Sequence, residues 1–250
     1  MALLDRVLQR DRKPDRDPLE ASRMSVIEHL EALRRALIIS VLAWGVATAI
    51  SFVFSTRVLE FLKAQSGVHH LVYLNPAGGF VILFKVALYM GIVLASPILI
   101  QQIWWFVSPG LHRHERRLVA PLVVSTILFF ALGIAVAIYA LPFYIKILTG
   151  FAPPGVDYLG DVDGFLGFVL TMIIGFGLMF ELPVVLFVLG MVRIISSKWL
   201  YKNRVYWVLG LGLAANFLTP GVDPITPFIM FVPLYIFFEG TALILKLAGR

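Results

Sequence analysis

Residues 36–56 read Ala36-Leu-Ile-Ile-Ser-Val-Leu-Ala-Trp-Gly-Val-Ala-Thr-Ala-Ile-Ser-Phe-Val-Phe-Ser-Thr56, without one ionisable side chain. As a helix this run is about 30 Å long, the thickness of a bilayer's hydrocarbon core. The chain around it has the same character: of 250 residues, 60% are hydrophobic and 14% charged, with mean hydropathy +0.90. A soluble globular domain is nearer half apolar and a quarter charged, so the composition excludes that class and specifies a polytopic membrane protein. The first apolar run begins near Ala36 and is too long for the h-region of a cleaved signal peptide, so it is expected to stay as a helix. With no cysteine, disulfides, thiol catalysis and Cys-ligated metals are excluded. The net charge of +6 does not indicate nucleic acid, because the basic residues sit between apolar runs instead of gathering on a soluble surface.

Cutting the rest of the chain at its charges and Gly/Pro clusters predicts five further spans. The second covers 80–107, with Lys85 near its start and a kink expected at Pro97. The third covers 118–145, with Pro121 and Pro142 near its ends, where a helix tolerates proline. The fourth covers 164–192 and is interrupted by Glu181; the fifth and sixth flank the turn Thr219-Pro-Gly-Val-Asp-Pro224. The fifth has only Val205–Leu218, about 21 Å of helix, and falls short of the far surface. The sixth, carrying Pro224, Pro227, Pro233 and Glu239, is expected to be similarly compromised. The fold class is therefore all-α, a single six-helix transmembrane domain over 24–250, preceded by a charge-mixed extension, 1–23, expected to be flexible. A translation start at Met24 would remove that extension.

Six spans put both termini on one side, and the positive charges choose it. Of 21 Lys and Arg, 17 lie in 1–35, 108–117, 193–204 and the C-terminal end, whereas the opposite loops hold only Arg57, Lys63 and Lys146. By the positive-inside rule both ends are cytoplasmic, and Trp104, Trp105, Trp199, Tyr201, Tyr206 and Trp207 fit an interfacial belt beside those loops.

No hydrolase, zincin, P-loop or dinucleotide-binding motif is present, and no nucleophile pairs with a base at membrane depth, so the chain reads as a non-enzyme. The adjacent His69 and His70 do not share a ligand face, and no metal or other cofactor is expected. The informative residue is Glu181, because a carboxylate inside the bilayer costs about 3 kcal/mol. Either it bonds a neighbouring helix, through a Thr or the backbone, or it serves a partner or a water-filled recess. In Phe106-Val-Ser-Pro-Gly-Leu-His-Arg-His-Glu-Arg-Arg117, Pro-Gly makes the turn and the arginines satisfy topology. Glu115 is the odd member, pairing with its own arginines or accepting those of another molecule.

That loop, with His29-Leu-Glu-Ala-Leu-Arg-Arg35, Phe180-Glu-Leu-Pro183, Leu218-Thr-Pro220 and Pro233-Leu-Tyr235 through Phe238-Glu239, resembles in order and spacing the TatC family, the multispanning receptor subunit of the twin-arginine protein translocase. The resemblance covers about 24–245. It implies a concave six-helix bundle with short fifth and sixth helices in the bacterial cytoplasmic membrane. It also implies export of folded proteins with TatA/TatB-type single-span partners and other copies of the chain, and no catalytic site. Carried over by position, Glu115 matches the glutamate that meets a signal peptide's twin arginines. Arg34, Lys85, Pro97 and Phe106 match positions around the same cytoplasmic surface, and Glu181 with Thr219 matches an intramembrane patch that docks partner helices. The usual acid of the first motif falls on Ala32, with Glu31 one residue earlier; Glu31 is expected to share signal-peptide recognition in this shifted register. Ala36 replaces a usual arginine, Thr-Pro-Gly-Val-Asp replaces a shorter turn, and Pro227 replaces a frequent glutamine. The rival reading is a proton-coupled secondary transporter using Glu181.

Overall fold

The computed structural model describes residues 26–68, 70–73, 75–110, 116–153, 160–218 and 225–249. The 1–23 extension, Glu115, Thr219 and the turn through Pro224 lie outside the described residues. The elements in order are α1 (Val26–Ser66), β1 (Leu71–Val72), α2 (Gly78–Val107), α3 (Val119–Thr149), β2 (Gly160–Asp161), α4 (Val162–Met179), α5 (Leu182–Met191), α6 (Ser197–Lys202), α7 (Arg204–Leu218) and α8 (Ile225–Leu247). Single 3-10 turns, Ser108–Gly110 and Arg116–Leu118, follow α2 and precede α3. Four helical stretches, α1, α2, α3 and α4 continued by α5, together with α8, are long and apolar enough to cross a membrane.

The sequence places the apolar runs well and the helix ends less well. The first helix has 41 residues, about 60 Å, and extends well beyond the uncharged run at both ends. Charges mark where the lipid stops, but a helix satisfies its own backbone and continues into water. Residues 164–192 form two helices rather than one. Pro183, in the first turn of α5, has no N–H for the Met179 carbonyl, and the chain turns tightly at Phe180-Glu181, where the Glu181 N–H reaches the Leu178 carbonyl at 3.2 Å. Pro97 leaves α2 as one continuous helix. The carbonyl it would have bonded, that of Val93, takes a hydrogen bond from the Ser96 hydroxyl at 2.7 Å.

The expectation for the hairpin holds for one arm only. Helix α7 has 15 residues, about 22 Å, and falls short of the hydrocarbon thickness. Helix α8 has 23, about 34 Å, and is not short. Pro227 falls in its first turn, where no N–H is needed, and Pro233 is absorbed within the run. The base of the hairpin is clasped by a cluster that sequence reading missed. Arg204 meets Glu239 at 2.6 Å and also the Tyr235 hydroxyl, which donates to Glu239 at 2.7 Å.

At the centre of the bundle is α4. Over the most apolar window of α4–α5, 56% of residues are buried, against 11% in α1, so α1 is the helix most open to lipid. Phe165, Leu166, Val169, Met172 and Phe176 form the α4 side of the core with Leu141 and Tyr144 of α3 and Phe238 of α8. Helices α3 and α4 touch at glycines: a Cβ on Gly133 would stand 2.5 Å from the Phe176 carbonyl oxygen. Such close approach through small residues is how helices associate where no hydrophobic effect operates between them. At the end of the bundle away from the 108–118 loop, β1 and β2 form a two-residue parallel pair joining the α1–α2 and α3–α4 connections. Asp161 then caps α4, accepting from the Gly164 N–H at 3.0 Å.

Candidate functional site

The start of α1 packs on the end of α2 beside the 108–118 loop. His29 stacks on Phe106 with ring centroids 4.3 Å apart, and the Arg35 guanidinium lies 5.8 Å from the Trp105 ring centroid. This packing fixes what each face of α1 presents. Ala32 is buried against the bundle, whereas Glu31, about 100° around the helix, is exposed, as is Arg34. The shifted acid thus faces solvent in its own register. The turns Ser108–Gly110 and Arg116–Leu118 lie at this same end of the bundle; Glu115, between them in sequence, is outside the described residues.

Two expected members of this surface are not there. Lys85 is about 32 Å along α2 from Phe106, since 21 helical residues separate them. It pairs with Asp163 at the start of α4, with Nζ to Oδ1 2.5 Å. It closes the opposite end of the bundle and does not join a signal-peptide surface. Pro97 lies about 14 Å from Phe106 along the same helix, exposed on the bundle's flank. Both positions join the expected surface only through the resemblance, whereas the 80–107 span itself runs away from the 108–117 loop toward Lys85.

Glu181 occupies the α4–α5 turn, partly buried, about 15 Å by helix rise from the Met191 end. Beside its carboxylate stand the Thr126 hydroxyl and the Phe130 backbone, both on α3. The Trp104 indole N–H of α2 donates to the Thr126 oxygen at 2.9 Å. A hydroxyl that accepts from an indole keeps its own proton to donate, so Trp104, Thr126 and Glu181 form a polar string across three elements. One carboxylate oxygen, Oε1, is buried without a partner among the described residues. An unmet acceptor inside a membrane is costly, which leaves Glu181 with bonding capacity to offer. Sequence reading anticipated a threonine beside Glu181 but not which one. Thr126 has no signal in the chain beyond its lying in an apolar run, and Trp104 was assigned only to the interfacial belt.

These features define a class: a polytopic helical membrane protein with an exposed acid, Glu31, and an exposed arginine, Arg34, at one end and a half-satisfied carboxylate within the bundle. A family model described as Sec-independent protein translocase protein (TatC) matches residues 28–233. The chain is 37% identical to the Sec-independent protein translocase protein TatC of Carboxydothermus hydrogenoformans, covering 91% of this chain and 95% of that one. It is 34% identical to the Aquifex aeolicus protein of the same name, covering 91% and 97%, and 35% identical to the chloroplastic Arabidopsis thaliana protein, covering 91% and 68%. A crystal structure titled as the twin-arginine translocase receptor TatC superposes with a TM-score of 0.77 at 34% identity, over 89% of this chain and all of that one. The chain belongs to the TatC family and is a transport protein of the membrane.

Proposed function

We propose that this chain is the receptor subunit of a twin-arginine translocase in a bacterial cytoplasmic membrane. In this reading it crosses six times, with α7 as the short fifth span and both termini cytoplasmic. It recognises twin-arginine signal peptides with Glu115 and Glu31, Arg34 and Phe106 completing that surface. Glu181 and Thr219 form the notch that docks TatA/TatB-type partner helices, and other copies of the chain complete the assembly. The observation that carries the reading is the exposed, acid-bearing end of the bundle in a chain so similar in sequence and fold to a twin-arginine receptor. Carboxylates suit this task, because bidentate bonds to guanidinium favour Arg over Lys. The test is co-purification from nanodiscs with a signal peptide carrying Arg-Arg or Lys-Lys. Retention of the Arg-Arg peptide alone is expected; equal retention of both would overturn the reading.

The notch makes a separate prediction. Interhelical hydrogen bonds in membranes contribute about 0.6 kcal/mol on average, so Glu181→Ala should weaken crosslinking to a partner helix about three-fold without unfolding the bundle. Glu181→Gln keeps an acceptor for the Thr126 hydroxyl and for a partner, and should preserve both crosslinking and export. A proton-coupled transporter would lose activity in the Gln variant, so the same pair of variants separates the two readings.

A further inference from the structure

An apolar cavity of about 250 Å³ opens between α1, α2, α3 and α4 in the half of the bundle away from the 108–118 loop. Its walls include Phe61, Ile138, Leu170 and Ile174, and Arg57 and Tyr89 also line it. Arg57 follows directly on the uncharged run that starts α1's membrane passage, which sets it at the membrane surface, while Ile138 and Leu170 lie deeper along α3 and α4. The cavity therefore leads from a surface cation down into the hydrocarbon layer.

Arg57 is exposed, with its guanidinium 5.9 Å from the Phe54 ring centroid. It has no carboxylate partner among the described residues. Lys85, at the same end of the bundle, is by contrast held by Asp163. The two cations are thus in different electrical states: one is matched within the protein and one is left to an anion from outside. Glu60, the nearest acid along α1, is exposed and does not line the cavity.

We propose that this cavity holds one acyl chain of an anionic glycerophospholipid, with the lipid phosphate against Arg57 at its rim. A cavity of this size has room for several methylene groups, part of an acyl chain. The chain is not driven in by leaving water, since the bilayer is as apolar as the cavity. It restores the dispersion contacts that the wall atoms lose when they face a void. Selectivity comes from net charge: both headgroups carry a phosphate that a guanidinium can pair, but the quaternary ammonium of phosphatidylcholine offsets that charge and phosphatidylglycerol has no such cation. The lipid wedges α1 against the α3–α4 core, and the apolar window of α1 has the smallest buried share of the five candidate spans.

The test uses the full chain purified in detergent, incubated with equal phosphatidylglycerol and phosphatidylcholine and read by native mass spectrometry. One retained phosphatidylglycerol per chain is expected, with phosphatidylcholine retained about five-fold less, the factor that one surface Arg contributes. Arg57→Gln should lower phosphatidylglycerol retention by about the same factor, and Arg57→Lys by less. Lys146→Gln, at an exposed cation that does not line the cavity, should leave it unchanged. A phosphatidylglycerol with a photoreactive group midway along its chain should label the segments around Ile138 and Leu170. Equal retention in wild type and Arg57→Gln, an equal loss in Lys146→Gln, or labelling spread over all lipid-facing helices would overturn the proposal. So would expulsion of the bound lipid by a signal peptide's apolar segment, which would make the cavity a peptide site.

Discussion

Glu115→Lys is expected to reduce the affinity for a twin-arginine signal peptide about thirty-fold, and its crosslinking to background, while the amount of inserted protein stays normal. The factor corresponds to about 2 kcal/mol, the low end of what is lost when one member of a hydrogen-bonded charge pair is removed, and reversal adds repulsion. Arg113, Arg116 and Arg117 surround the position in sequence, so a lysine there makes the loop uniformly basic and repels the peptide's arginines. Glu115→Gln should fall between, keeping an acceptor without the charge. In the same assay Glu31→Ala should cost less, because it removes one of two acids. Ala32→Glu should bring no gain, since position 32 packs against the bundle and a carboxylate there is turned from solvent. Unchanged binding by Glu115→Lys at equal abundance would remove the loop acid from recognition. A gain from Ala32→Glu would reassign Glu31 to a solvated place near a helix start.

The apolar runs made the spans legible, and the short fifth helix could be measured from its flanking signals alone. Pairings between distant residues could not be read. Lys85 and Asp163 are 78 residues apart and Arg204 and Glu239 are 35, and no local pattern announces either bridge. The error over Lys85 came with the resemblance: the topology already put the start of the 80–107 span at the surface opposite the 108–117 loop, and only the match by position grouped Lys85 with that loop. The overlong α1 shows the complementary limit, because hydropathy reports where lipid ends and not where hydrogen bonding ends. Glu181 was conspicuous because an intramembrane acid is expensive. Its neighbour Thr126 was silent because threonine is cheap there and occurs without a task. The short parallel pair β1–β2 was also missed, as two-residue strands carry no periodicity.

Helices α3 and α4 meet backbone to backbone at Gly133, and a side chain added there should force them apart. A Cβ at Gly133 would lie 2.5 Å from the Phe176 carbonyl oxygen and 2.9 Å from its carbon, both backbone atoms of a helix that has no room to yield. At Gly177 the obstruction is the edge of the Phe130 ring, 2.7 Å away, which has a side-chain rotation with which to give. At Gly210 nothing lies within 4 Å. Gly133→Val should therefore cost about 3 kcal/mol or more, the upper range for overpacking, and lower the melting midpoint in detergent by more than any of the others. Gly177→Ala should cost less, and Gly210→Ala should be neutral or stabilising because alanine favours the helix. Glu181 lies just beyond Gly177, so forcing α3 from α4 also draws its carboxylate away from Thr126. The Gly133→Val protein that does fold should consequently lose partner crosslinking to the level of Glu181→Ala. A melting midpoint for Gly133→Val equal to that of Gly210→Ala would mean that the two helices do not meet at this crossing.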